Sequence, residues 1–176
     1  MIRVPNRKEE KEMRKRLMIG VLPVLAILAL PVFGAASPHF IGSPAISKDL
    51  VNGLSVSWKV AGQGSFTSAA FLTASTVTAN YVCVNNGSNT APGQPLVLSN
   101  VVGPTTNIPA ANGQITFTVG IPPPATPSAS TECPSHHEGQ SQWTVMLTSL
   151  TFSDVTLHIQ QGGQDVLTAN LGTIDP

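Results

Sequence analysis

Apolar and polar residues take turns along most of this chain, and that two-residue rhythm restricts it to strands with one buried face. In residues 54–60, Leu54, Val56, Trp58 and Val60 fall on one side while Ser55, Ser57 and Lys59 fall on the other. Ile115, Phe117, Val119 and Ile121 alternate with Gln114, Thr116 and Thr118, and Val155, Leu157 and Ile159 alternate with Thr156, His158 and Gln160. Val77, Ala79, Tyr81 and Cys83 form a further row opposite Thr76, Thr78 and Asn80, and Trp143, Val145 and Leu147 form another. Successive side chains of an extended chain point to opposite faces, whereas a helix needs apolar residues three and four apart. Residues 66–73, 95–102 and 165–171 are weaker strand segments. Asn52-Gly53, Asn86-Gly87, Asn112-Gly113, Ser153-Asp154 and Gly162-Gly163 read as turns between the runs. Seven or eight short strands, each polar on one face, predict an all-β fold: a single antiparallel β-sandwich, immunoglobulin-like or a related Greek key. Residues 121–128 are a Pro-rich, extended connection, and no internal repeat is visible.

The first 36 residues follow different rules. Residues 1–16 carry seven basic and three acidic side chains, a net +4, and residues 17–33 are apolar and uncharged before Gly34-Ala35-Ala36. A basic start, an apolar stretch and small residues at its end predict an export signal over 1–36, cleaved after Ala36, with 37–176 as the β-sandwich domain. The apolar run has 17 residues and contains Pro23 and Pro31, the short limit for crossing roughly 30 Å of hydrocarbon. Retention of the segment as a membrane anchor is the alternative, and it is the one membrane contact expected. The chain is therefore read as secreted or held in the cell envelope.

Charge excludes some partners. Beyond residue 36 only Lys48 and Lys59 are basic, against Asp49, Glu132, Glu138, Asp154, Asp165 and Asp175, a net of −4. Nucleic-acid binding needs a basic surface that displaces counterions from phosphates, and none exists here.

One short stretch, residues 130–139, crowds polar and ligand-type side chains together. It holds Cys133, His136, His137 and Glu138, with Cys83 the sole other cysteine. Two cysteines in an exported segment predict a Cys83–Cys133 disulfide. A bridge removes the thiolate that either metal ligation or nucleophilic attack would need. His136 and His137 are neighbours and point apart in extended chain, and Glu138 adds one ligand at most, whereas zinc takes three or four. The three residues are a candidate ligand patch, with no metal or other cofactor expected. A Ser37-Pro38-His39 terminus is a poor copper(II) chelate, because Pro38 has no amide proton to lose.

No catalytic residue is assigned. There is no G-x-S-x-G elbow, and the Ala61-Gly62-Gln63-Gly64 run has no helix after it to cradle a phosphate. Asp154 and Asp165 sit in expected turns, where solvation explains them. Trp58, Trp143 and Tyr81 are all expected to face inward, which leaves little aromatic surface for stacking on sugars.

Ser37-Pro38-His39-Phe40, then residues 54–64 ending in Ala61-Gly62-Gln63-Gly64, together with Cys83 and Cys133, resemble a group of small exported bacterial proteins. They share a signal peptide, a "PHF" start and an "AG-x-G" turn after the first strand. The resemblance implies bacterial secretion and a β-sandwich, and it brings no activity or site residue with it. The expectation is a noncatalytic module that binds an extracellular or cell-surface protein or glycan. A self-assembling surface protein is the alternative, and a metal-binding protein or enzyme using His136, His137 and Glu138 ranks last.

Overall fold

The computed structural model describes residues 37–133 and 143–175. The chain divides after Ala35, and the unit Ala36–Pro176 carries every element that follows. In chain order these are β1 (His39–Asp49), β2 (Gly53–Ala61), β3 (Ser68–Asn85), β4 (Thr90–Pro92), β5 (Leu96–Val102), β6 (Thr106–Ile108), β7 (Gln114–Ile121), the four-residue helix α1 (Ala129–Glu132), β8 (Trp143–Gln161) and β9 (Gln164–Ile174). All strand pairs are antiparallel. The smaller sheet has the order β1-β2-β7. In the larger sheet β8 lies between β3 and β9, and β4, β5 and β6 pair in succession along the other edge of β3.

The alternating rows meet between the sheets. Leu54, Val56, Val60, Ile115, Phe117 and Val119 of the small sheet are buried together with Leu72, Val77, Leu150, Phe152, Leu157 and Ile159 of the large one. Two sheets each burying one face make a β-sandwich, as the alternation predicts. Tyr81 is buried. Trp58 is only partly so: its ring stacks on Phe40 at 4.1 Å between centroids, and Nε1 donates to the carbonyls of Ile41 and Gly42. Those carbonyls lie where the β1–β2 register slips between Ile41 and Ala45.

Two expectations need correction. The strands expected over 66–73 and 76–83 are one continuous strand, β3, which starts at Ser68 and has 18 residues, and Ser153-Asp154 is no turn but lies inside the 19-residue β8. The reason is a change of face within each strand. The buried row of β3 runs Ser68, Ala70, Leu72, Ala74 and then Val77, Ala79, Tyr81, Cys83, with two residues between Ala74 and Val77 instead of one. β8 does the same between Phe152 and Val155. Leu171 and Ile174 of β9 both pack on the core. In β5, Leu98 pairs with Val77 and Val101 with Ala74.

The switches lie on one line across the large sheet. Asn100 (φ 52°), Asp154 (φ 49°) and Gly172 (φ 72°) adopt left-handed backbone there, which Asn and Asp tolerate and glycine adopts freely. Between the first two, Ser75 shares its hydroxyl proton with the Ser153 carbonyl and Asp154 Oδ2, at 3.2 and 2.8 Å. A switch in one strand alone would turn the rest of its apolar row to solvent. Because every strand switches together, pairing resumes in the same register beyond it: Thr73 faces Thr156 and Thr76 faces Ser153.

One end of the sandwich is closed by a polar knot. The buried Ser68 hydroxyl donates to Gln63 Oε1 at 2.7 Å, and Gln161 Nε2 reaches the same oxygen at 2.8 Å and the Gln63 carbonyl at 3.1 Å. This ties the β2–β3 connection to the β8–β9 hairpin.

Candidate functional site

Residues 60–131 contain no Asp, Glu, Lys, Arg or His. That stretch supplies β3 to β7, and so one whole flank of the sandwich, where β5 edges the large sheet and β7 the small one. Exposed sheet edges are ordinarily guarded by lysine or inward-pointing charge. β5 has neither. Among the described residues it pairs only with β3, and Val97 and Val102 are 57% and 64% exposed. Val97 and Val102 are partnered with Thr78 and Thr73, which puts them on the outer side of the sheet.

On the inner side the same strand borders an apolar cleft of about 450 Å³, lined by Leu98, Val101 and Pro104 across from Ile121, Pro122 and Pro124. Its volume lies within the range of small-ligand sites, and its lining has no charged side chain. The Pro-rich connection after β7 forms one wall, since proline holds an extended chain without needing strand partners. The floor is set by glycines. A Cβ on buried Gly103 would lie against the Gly120 carbonyl oxygen, and one on Gly120 against the Leu54 carbonyl oxygen. The first contact brings the chain just after β5 to backbone distance of β7 in the other sheet, the second lies between β7 and β2 within the small sheet, and the cleft opens beside the first. A second depression, about 300 Å³, lies across the switch line and includes Thr73, Ser75, Asn100 and Asp154.

Cys83 and Cys133 form the expected disulfide, with Cα atoms 5.6 Å apart. It anchors the chain after α1 to the far end of β3. His136, His137 and Glu138 lie outside the described residues. Among the described residues, no group of three or more His, Cys, Asp or Glu side chains could hold a metal ion. No helix among them is long and apolar enough to cross a membrane.

His158, by contrast, has partners that reading the strands separately did not reveal. Its Nδ1 is 2.9 Å from Asp165 Oδ2, its Nε2 is 3.1 Å from Thr73 Oγ1, and its ring stacks on Phe71 at 4.9 Å and 7°. The carboxylate can only accept, so Nδ1 carries a proton, and in the neutral ring Nε2 accepts from the Thr73 hydroxyl. The hydrogen bond from His158 holds the Asp165 carboxyl below its ordinary range, against the opposing effect of burial. Two facts in the sequence carry this arrangement. Gly162-Gly163 closes a tight hairpin that brings Asp165 back beside Gln160, two residues from His158, and Phe71 pairs directly with His158 across β3 and β8. Asp49 is also lowered, by the backbone amides of Asn52 and Val51 and the Asn52 side chain, which it holds in a turn.

No protein-family model, curated protein or solved structure matches this chain.

Proposed function

We propose that this chain is an exported binding module whose contact surface is the uncharged β5 flank. Its partner is an extended, apolar polypeptide segment at the cell surface. The observation that carries this reading is the uncharged β5 edge beside an apolar cleft: one offers main-chain hydrogen bonds, the other a seat for alternate side chains. That division is how strand addition obtains affinity and specificity. The cleft itself is lined by no acid, base or nucleophile, in keeping with binding without chemistry there. Export is supported by the basic-then-apolar segment of residues 1–36 and by the disulfide, which persists in oxidising compartments. An immunoglobulin-like class for the sandwich belongs to the same reading.

Selection from a phage library of random extended peptides tests it. Enriched sequences should be apolar at alternate positions, and Leu98→Glu should abolish their binding. Enrichment of charged sequences, or binding that survives Leu98→Glu, contradicts the proposal. The same edge supports a second reading, self-assembly by pairing of β5 with β5 of another copy. Sedimentation that depends on concentration, and loses that dependence in Val97→Lys, would select it.

A further inference from the structure

We propose that Thr73 is a nucleophile that takes an acyl group from a neutral carboxylic ester, with His158 as its base and Asp165 as the residue that positions the imidazole. The three side chains come from β3, β8 and β9 and meet on the outer face of the large sheet. They make the continuous hydroxyl–imidazole–carboxylate chain described above, with gaps of 3.1 and 2.9 Å. Such a set is recognised by geometry and roles, not by fold or order along the chain. This departs from the expectation of a noncatalytic chain. It does not depend on peptide binding at the β5 flank, and a small ester tests it separately.

Three observations go beyond a polar ladder between strands. The imidazole is fixed in orientation, gripped by Asp165 on one nitrogen and stacked flat on Phe71. The tautomer this imposes leaves Nε2 as the acceptor facing Thr73, the state a general base must have. Thr73 also lines the depression of about 300 Å³ across the switch line, so its hydroxyl borders a concave space in which a substrate can sit. Asn100 stands on the same depression and brings a neutral amide that can donate to an oxyanion. Ser75 is not an alternative nucleophile, because its proton is committed to the Ser153 carbonyl and Asp154. Asp154 and Asp165 beside the site disfavour anionic substrates, so the class is a neutral ester with a compact acyl group.

In the reaction, Thr73 Oγ1 bonds to the ester carbonyl carbon as its proton passes to His158 Nε2. The ester C–O bond then breaks, and His158 returns that proton to the leaving oxygen, which departs as the alcohol. Water completes the cycle. His158 Nε2 takes one of its protons as it attacks the acyl-threonine carbonyl, and returns that proton to Thr73 Oγ1 as the acyl C–O bond breaks, so the products are the carboxylic acid and free Thr73. No electrons are exchanged with an outside partner.

The chain is incubated with p-nitrophenyl acetate, release of p-nitrophenolate is followed, and the acetylated residue is found by mass spectrometry. Acetyl should appear on Thr73. Thr73→Val keeps the β-branched shape and should lose the label, whereas Thr73→Ser should keep it. His158→Gln should slow acylation about a hundredfold or more. Asp165→Asn should shift the acidic limb of the pH–rate profile to lower pH, a change that a purely structural residue would not produce. Circular dichroism of each variant separates loss of reaction from loss of fold. Acetylation confined to Lys48, Lys59 or other hydroxyls, or an unchanged rate in folded Thr73→Val or His158→Gln, overturns the proposal.

Discussion

Replacing Gly103 by alanine tests how closely the two sheets approach beside the cleft. The added methyl would be driven into the Gly120 carbonyl oxygen, which is backbone and is held by the pairing of Ser55 with Gly120. It cannot swing aside as the end of a side chain can. Gly103 N–H also donates to the Leu72 carbonyl at 2.8 Å, so the chain just past β5 is pinned on the other side. Overpacking of this kind costs about 1–3 kcal/mol, and a backbone-on-backbone clash belongs at the upper end. Alanine also narrows the unfolded ensemble, which offsets about 0.4–1 kcal/mol. The net expectation is a loss of about 2 kcal/mol, or a Tm lower by roughly 6 °C for a domain of this size. Guanidinium unfolding followed by circular dichroism measures it, with an unchanged slope showing that the native state alone is affected. Gly87→Ala is the control, since its Cβ would meet only the side-chain ends of Asn89 and Asn85 at 3.3 and 3.4 Å. If Gly103→Ala is as stable as the parent, or Gly87→Ala loses as much, the close approach of the sheets is wrong.

Other perturbations test separate parts of the fold. Reducing the Cys83–Cys133 bond reopens a loop spanning 50 residues and should cost about 4 kcal/mol, seen as a lower denaturant midpoint in the presence of reductant. Asn100→Val forces a β-branched residue into left-handed backbone and should cost about 1–3 kcal/mol, whereas Asn100→Gly should be close to neutral in the same assay. Asp165 and Asp49 both have folded-state pKa values lowered by hydrogen bonds. Their stabilisation is therefore present above the unfolded carboxylate value near 3.8 and is lost as pH falls through the lower folded values. Asp165→Asn should flatten that acid limb of a stability–pH curve, and because the site is exposed the change should be small.

The alternation in residues 54–60, 114–121 and 155–159 specified the core because each of those runs stays on one face throughout. Where a strand changes face, the same rhythm misleads. Ala74-Ser75-Thr76-Val77, Phe152-Ser153-Asp154-Val155 and Leu171-Gly172-Thr173-Ile174 each read as the end of a run, and Leu98-Ser99-Asn100-Val101 lies unmarked inside the expected strand 95–102. Together they share one pattern, an apolar residue, a small one, a polar one and an apolar one, which marks the switch line. The pattern is visible only when the four segments are set side by side, because a lone Ser-Asp is a turn signal by composition. The disulfide was legible since the sequence holds two cysteines, which leave one pairing, and its first 36 residues carry an expected export signal. The His158 contacts were not, because they depend on which strands become neighbours and on the hairpin register that returns Asp165. The β5 flank was hidden for a related reason: whether a strand lies at an edge is set by topology, not by its own residues.

The most direct test of the β5 flank is NMR of the ¹⁵N-labelled chain titrated with a peptide from the selection. Strand addition predicts that the largest amide shifts fall within β5 and at Gly103, and that the newly bonded amides of residues 96–102 exchange more slowly with solvent. Shifts centred on β9 or β1, with residues 96–102 unchanged in shift and exchange, would contradict it.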